Sequence, residues 1–146
     1  MARAPMRNQP LLTEPELTAR LDEFRRAVDQ YNDGYWFESH ETLEDLWMVT
    51  PWPQRVFFQA VIQLAAAFVH YARGEYPGIL KLLDAAREKL KEYRPAYLGV
   101  DTEALARDIE RARDAFVALG EERFRQFDES LVPRVREASG SATVAT

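Results

Sequence analysis

The chain contains no cysteine. Disulfide bonds, thiolate metal sites and cysteine nucleophiles are therefore excluded. It has only two histidines, His40 and His70, and no glycine-rich phosphate-binding loop. Ser39 precedes His40 in sequence but lies on another face of a helix, so a serine nucleophile has no support. The candidates for chemistry are thus carboxylates, amides and two imidazoles.

An excess of positive charge is also absent. The chain has 19 basic and 24 acidic side chains and a net charge of -5. Nucleic acids and anionic membrane surfaces normally need a concentrated basic surface, so we expect neither as a partner. Residues 1–12 have no apolar core of a signal peptide. The most hydrophobic run, 56–72, contains Gln59, Gln63 and His70 and is short for a bilayer span. These features predict a soluble, cytoplasmic protein.

What is present indicates one helical domain. The chain has 146 residues, of which 47% are hydrophobic, enough for a single core. We find no alternating strand pattern and no long internal repeat, so the fold class is all-α. The predicted domain covers residues 13–136, and the tails 1–12 and 137–146 are expected to be disordered.

Helix-start and helix-end signals divide this domain into five or six helices. Thr13 and Glu16 form a capping-box pattern that starts the first helix, and Gly34 ends it. The third helix, from Pro53 to Arg73, is apolar over most of its circumference, which predicts a central helix surrounded by the others. Gly120 is expected to end the fifth helix, before a short amphipathic sixth.

The second helix, about 35–49, contains the most informative stretch. At about 100° per residue, Trp36, His40, Leu43 and Trp47 fall on one stripe. Glu44 is then predicted at the middle of the apolar arc. An unpaired charge removed from water is costly, so a carboxylate and an imidazole on this face predict a polar site.

The third helix offers partners for that site. Its polar residues are mostly uncharged amides and an imidazole, which suit buried partners better than solvent. A short loop makes the two helices neighbours, with Arg55 near Glu44 or Glu41 and His40 opposite Gln59 or Gln63. The favoured interpretation is a structural network in which Trp36 and Trp47 are ordinary core, whereas a ligand pocket would have them as its walls. The candidate site residues are Glu38, His40, Glu41, Glu44, Arg55, Gln59, Gln63 and His70.

Two alternatives remain open. His40 to Glu44 resembles the zinc motif H-E-x-x-H, but Glu44 replaces the second histidine. A divalent metal on His40, Glu44 and His70, with Glu41 as base, is therefore a weak alternative to having no cofactor. The same residues could instead bind a small molecule in a pocket with aromatic walls. A homodimer is compatible with the surplus of aromatic residues.

The residues also resemble a known family. Phe37-Glu-Ser-His-Glu-Thr-Leu-Glu-Asp-Leu-Trp47, then Phe58-Gln-Ala-Val-Ile-Gln-Leu-Ala65 and His70, is similar to bacterial and archaeal proteins grouped as domain of unknown function family 309. The resemblance covers about 31–100, and Ile79 departs from the small residue of many members. It implies a small all-helical protein without an established activity. The positions that match are Glu38, His40, Glu41, Glu44, Trp47, Gln59, Gln63 and His70.

Overall fold

The structure, a computed structural model, describes residues 13–138 and shows a single all-helical domain. The predicted tail 1–12, and residues 139–146 of the predicted tail 137–146, lie outside the described residues. The helices are α1 (Glu14–Asn32), α2 (Trp36–Met48), α3 (Gln54–Arg73), α4 (Pro77–Leu90) and α5 (Thr102–Arg123). Neighbours in sequence pack against each other, α1 on α2, α2 on α3, α3 on α4, and α4 on α5.

The helix ends follow the local signals in the sequence. Thr13 Oγ1 accepts the N–H of Glu16 at 3.3 Å, and Glu16 Oε1 accepts the N–H of Thr13 at 2.9 Å. This is the predicted capping box. Gly74 ends α3 in the left-handed region (φ 73°), which a glycine adopts without strain. Asp101 caps α5 by accepting the N–H of Ala104 at 2.9 Å.

Helix α3 is the centre of the core, as its apolar circumference predicted. Phe58 contacts Phe24 of α1, with ring centroids 5.2 Å apart. Phe68 contacts Trp36 of α2 at 5.4 Å and Phe116 of α5 at 6.2 Å. Among the described residues, α3 is the one helix long and apolar enough to cross a membrane. A helix enclosed by others needs the same composition, and nine of its residues are buried here.

The chain after Gly120 differs from the prediction. Gly120 (φ 72°, ψ 177°) leaves the helical region, but helical structure continues to Arg123. Two single 3₁₀ turns, Phe124–Gln126 and Glu129–Leu131, then stand where a sixth helix was expected. The physical reason is packing, because the Phe127 ring stacks on Phe116 with centroids 4.0 Å apart and planes 8° from parallel. Phe127 reaches Phe116 directly after the 3₁₀ turn Phe124–Gln126, without a continuous helix.

The segment 132–138 is part of the domain. The Asn32 amide donates to the Val135 carbonyl at 2.8 Å and accepts the Val135 N–H at 3.0 Å. Arg136 O accepts the N–H of Asp101, and the N–H of Ala138 donates to Gly99 O at 2.9 Å. Glu137 and Ala138, which the prediction assigned to the C-terminal tail, thus make backbone contacts with the domain.

Tyr93, in the 3₁₀ turn after α4, ties that end of the bundle to the turn between α2 and α3. Its hydroxyl donates to the Pro53 carbonyl at 2.8 Å. Burial, with smaller contributions from Tyr97 and Glu92, raises the pKa of Tyr93 to about 12. The neutral, hydrogen-bonded phenol is thus the form that the fold favours.

We expect Tyr93→Phe to lower the free energy of unfolding by about 1 kcal/mol at pH 7, the contribution of one hydrogen bond. Because the pKa is raised in the folded state, this stabilisation is complete below about pH 10 and is lost as pH rises toward 12. Urea unfolding at pH 7 and above pH 10 measures both effects. The variant should show a shallower alkaline loss of stability than the parent, and an equal or steeper loss would contradict the prediction.

Candidate functional site

The buried arc of α2 is not the one predicted. Its buried residues are Ser39, Thr42, Leu43 and Leu46. The centre of this arc is rotated by about 100° around the helix axis from the predicted stripe, which contains Trp36 and Trp47. As a result, the side chains of Glu38 and Glu41 are exposed. Those of His40 and Glu44 are half-buried. The expectation that these four side chains form a buried cluster is therefore wrong.

The buried polar groups of α2 instead face α1. Ser39 Oγ donates to the Ala27 carbonyl at 2.8 Å. Thr42 Oγ1 donates to Gln30 Oε1 at 2.8 Å. Ser39 and Thr42 are small, so they allow the two helix backbones to approach closely while their hydroxyl groups find acceptors. The sequence contained a signal for this interface, two small polar residues three apart beside Leu43 and Leu46, which the larger aromatic residues obscured.

Several polar or aromatic side chains of α2 and α3 are only partly exposed, and we call this set the polar seam: Glu44, Trp47, Arg55, Gln59 and Gln63. All five side chains are half-buried. The Arg55 guanidinium lies 3.8 Å from the centroid of the Trp47 ring and approaches the Trp47 carbonyl at 3.5 Å. Gln63 Oε1 is buried and accepts no hydrogen bond. Arg55 thus lies against Trp47 of α2, and its predicted approach to Glu44 or Glu41 stays a prediction.

The two histidines have separate surroundings. His40 Nδ1 lies 3.4 Å from Glu41 Oε1. His70 Nδ1 lies 3.0 Å from Glu75 Oε1, and its ring covers Gly78, where an added Cβ would come within 3.1 Å of it. Within residues 13–138, no group of three or more His, Asp or Glu side chains could hold a metal ion. His40, Glu44 and His70 therefore do not form a ligand set in this arrangement.

The aromatic walls behave differently from each other. Trp36 lines two neighbouring cavities, whereas Trp47 covers Arg55 in the seam. Neither of the cavities beside Trp36 includes His40 among its lining residues. These two cavities face the chain after α5, and the expected pocket between His40 and a tryptophan stays a prediction.

The first cavity, of about 290 Å³, lies between the α1–α2 turn and residues 129–134. Tyr31 lines it with a side chain that is 1% exposed and a hydroxyl without a hydrogen-bond partner. Burial raises the pKa of Tyr31 well above its ordinary value, so the hydroxyl stays a neutral donor. Trp36 Nε1 is a second buried donor without a hydrogen-bond partner, and Arg134 lines the same cavity.

The second cavity, of about 310 Å³, lies on the other side of Trp36 and shares Glu129 with the first. Its remaining lining residues are Tyr71, Ala72, Arg73, Gly74 and Arg125. The Tyr71 hydroxyl donates to Glu129 Oε2 at 3.0 Å. Burial and this hydrogen bond raise the pKa of Tyr71 to about 12. None of these residues except Trp36 belongs to the predicted site.

The architecture places the chain among small all-helical proteins that consist of one central helix and its neighbours. Residues 24–82 match the model of the family described as Domain of unknown function (DUF309). Over those residues the chain is similar to the DUF309 family. The match runs from Phe24 in α1 to Leu82 in α4 and includes the whole polar seam. No curated protein and no solved structure gives a significant match.

Proposed function

We propose that this chain is a non-catalytic helical domain in which the polar seam between α2 and α3 is mainly structural. In this proposal, the seam fixes the rotation of α2 about its axis and its axial position relative to α3. The supporting observation is the Arg55 guanidinium, which lies 3.8 Å from the Trp47 ring centroid. A planar cation over an indole face gains both electrostatic and packing energy, more so when the pair is partly shielded from water.

The surroundings of Arg55 favour the same interpretation. Its side chain is half-buried, and half-buried arginines commonly pack their aliphatic part against apolar surface. Gln59 and Gln63 follow on the same stripe of α3, one and two turns after Arg55. Uncharged amides at these positions avoid the desolvation cost of buried charges. The seam thus combines one aromatic-stacked cation with amides, which suits a contact between helices better than proton transfer.

The alternative is a small-molecule or metal site, possibly hydrolytic, on His40, Glu41, Glu44 and His70. One observation favours a ligand, the buried Gln63 Oε1 that accepts no hydrogen bond. A metal has less support, because His40 and His70 each face a different carboxylate within the described residues. We rank the structural role first, since it requires no rearrangement of these side chains.

The proposal includes a cytoplasmic location without a nucleic-acid or membrane partner. The net charge of -5 supports this assignment. A homodimer stays a prediction. Met48, Val49 and Trp52 are each about half exposed at the turn between α2 and α3 and could contribute to such a contact. Sedimentation velocity over a range of protein concentrations measures the oligomeric state.

The seam is tested by replacing Arg55. We expect Arg55→Ala to lower the free energy of unfolding by about 1–2 kcal/mol, because the indole face loses both the cation and its aliphatic cover. Arg55→Lys should give an intermediate loss, since an ammonium cannot stack as a plane. Urea unfolding followed by tryptophan fluorescence provides the measurement.

Arg111→Ala is the matched control, because Arg111 is exposed on α5 and should change stability by less than about 0.5 kcal/mol. Equal effects of Arg55→Ala and Arg111→Ala would overturn the structural role. A melting temperature that rises with added Zn²⁺, and that no longer responds in His40→Ala or His70→Ala, would support the metal alternative instead.

A further inference from the structure

The second cavity beside Trp36 contains positive charge that the protein itself does not neutralise. Arg73 and Arg125 line the second cavity. Neither lies within 4.0 Å of a carboxylate in the part of the chain that the structure describes. The guanidinium carbon of Arg73 lies 5.9 Å from the centroid of the Phe37 ring, and that of Arg125 lies 5.9 Å from the centroid of the Phe124 ring. Glu129 is the one acidic lining residue, and its carboxylate accepts the Tyr71 hydroxyl. The cavity is thus net positive on a chain whose overall charge is -5.

Arg125 has a defined position at this cavity. A Cβ added to Gly74 would lie 2.2 Å from Arg125 Nη2 and 2.8 Å from its Cζ. The guanidinium therefore occupies the space that a side chain at residue 74 would fill, at the carboxyl end of α3. A cation is favoured at that end of a helix, which helps to hold the group in place. Arg73, the last residue of α3, reaches the same cavity from the helix itself.

The other walls are aromatic. Trp36 and Tyr71 line the cavity and contact each other edge to face, with centroids 6.1 Å apart. The hydrogen bond from Tyr71 to Glu129 fixes the orientation of the phenol ring. Flat aromatic walls beside guanidinium groups match a ligand that has a planar apolar body and an anionic group at its edge.

The first cavity adds donors on the far side of Trp36. The Tyr31 hydroxyl and Trp36 Nε1 are buried without hydrogen-bond partners, and their residues both line this cavity. A buried donor without an acceptor costs free energy, typically about 1–3 kcal/mol. Tyr31 lies in the last turn of α1 and Trp36 is the first residue of α2, so the two donors flank the α1–α2 turn.

We propose that the second cavity, beside Trp36, binds a small planar organic anion. The carboxylate or phosphate group of the ligand would lie between Arg73 and Arg125, and its ring would lie against Trp36 and Tyr71. This site is distinct from the polar seam, so its failure would leave the structural role of the seam unaffected.

The test uses the full chain and four small probes: benzoate, phenyl phosphate, inorganic phosphate and benzyl alcohol. The three tryptophans give three indole N–H signals in a ¹H–¹⁵N correlation spectrum, assigned by single Trp→Phe variants. We expect benzoate or phenyl phosphate to shift the Trp36 signal with a dissociation constant of roughly 1 mM, typical of fragments of this size. The Trp52 signal, from a side chain 51% exposed and outside both cavities, should not move.

The probes separate the contribution of the negative charge to binding from that of the aromatic ring. Benzyl alcohol, which lacks the charge, and inorganic phosphate, which lacks the ring, should each bind at least about tenfold more weakly than the better aromatic anion. Benzoate against phenyl phosphate identifies the preferred anionic group. Equal shifts from benzyl alcohol would overturn the proposal. The absence of any Trp36 shift at a probe concentration about 20 times the expected dissociation constant would also overturn it.

Arginine variants test the location. Arg73→Gln and Arg125→Gln should each weaken binding of the better probe by about fivefold or more, since each removes one charge-assisted hydrogen bond. Arg111→Gln, on an exposed part of α5, is the matched control and should leave binding unchanged. Unaltered spectra outside the cavities show that each variant is folded. Identical affinities in all three variants would overturn the assignment of Arg73 and Arg125.

Discussion

Phe68→Ala is expected to lower the free energy of unfolding by about 3–5 kcal/mol, the range for truncating a buried phenylalanine. Phe68 is 0% exposed at the centre of α3. Its ring contacts Trp36 from α2, Phe116 from α5 and Phe127 from the segment after α5. No single neighbour can fill the resulting cavity without losing its own contacts. Urea unfolding followed by circular dichroism measures the loss.

Val117→Ala is the control for this prediction. Val117 is also an apolar residue in a helix, but it is 50% exposed on α5 and should change stability by less than about 0.5 kcal/mol. If Phe68→Ala cost less than about 1 kcal/mol, α3 would not be the centre of the core.

Asn32→Ala is expected to cost about 2–3 kcal/mol. The substitution removes two hydrogen bonds and leaves the N–H and C=O of Val135 without those partners, at about 1 kcal/mol or more for each group. The Asn32 amide pairs with the Val135 backbone as a neighbouring strand would, at 2.8 and 3.0 Å. Amide hydrogen exchange of Val135 should accelerate with the same substitution. Both results would identify the end of the chain as an integral part of the domain.

Asp33→Ala is the matched control. Asp33 follows Asn32 directly and its side chain is exposed at the end of α1. We expect a change within about 0.5 kcal/mol and no effect on exchange at Val135. Comparable losses from both substitutions would show that the turn, and not the paired hydrogen bonds, is responsible.

The helices were predictable because their signals are local. The capping box of Thr13 and Glu16, the left-handed Gly74 and the Asp101 cap each act within four residues of a helix end. The central position of α3 was predictable as well, because a helix that is apolar nearly all round must be enclosed. These features depend on composition and spacing alone.

The rotation of α2 was not predictable in the same way. Two tryptophans at helical spacing suggested a buried stripe, but both are half-buried and contact α3. Ser39 and Thr42 lie inside because their acceptors, Ala27 O and Gln30 Oε1, are on a different helix. A sequence pattern cannot show which distant carbonyl will be available, so the choice between two adjacent faces depends on tertiary contacts.

The residues after Gly120 show a second limit of this kind. Phe124, Phe127 and Leu131 have helical spacing, yet they occupy two short turns. The stacking of Phe127 on Phe116 determines this path. The cavities beside Trp36 were missed for the same reason, because Glu129, Arg125 and Arg134 reach Trp36 only after the chain has returned across α1 and α3.

The return of the chain has a consequence for the stretch that defines the family. Residues 24–82 end within α4 and omit Ile109, Phe116 and Phe127, which cover one side of α3. Expressed on its own, this excerpt would present Phe68 and Trp36 to solvent and lack the backbone partner of Asn32. The segment that matches the family model is therefore shorter than the folded domain. Truncated variants should extend at least to Ala138.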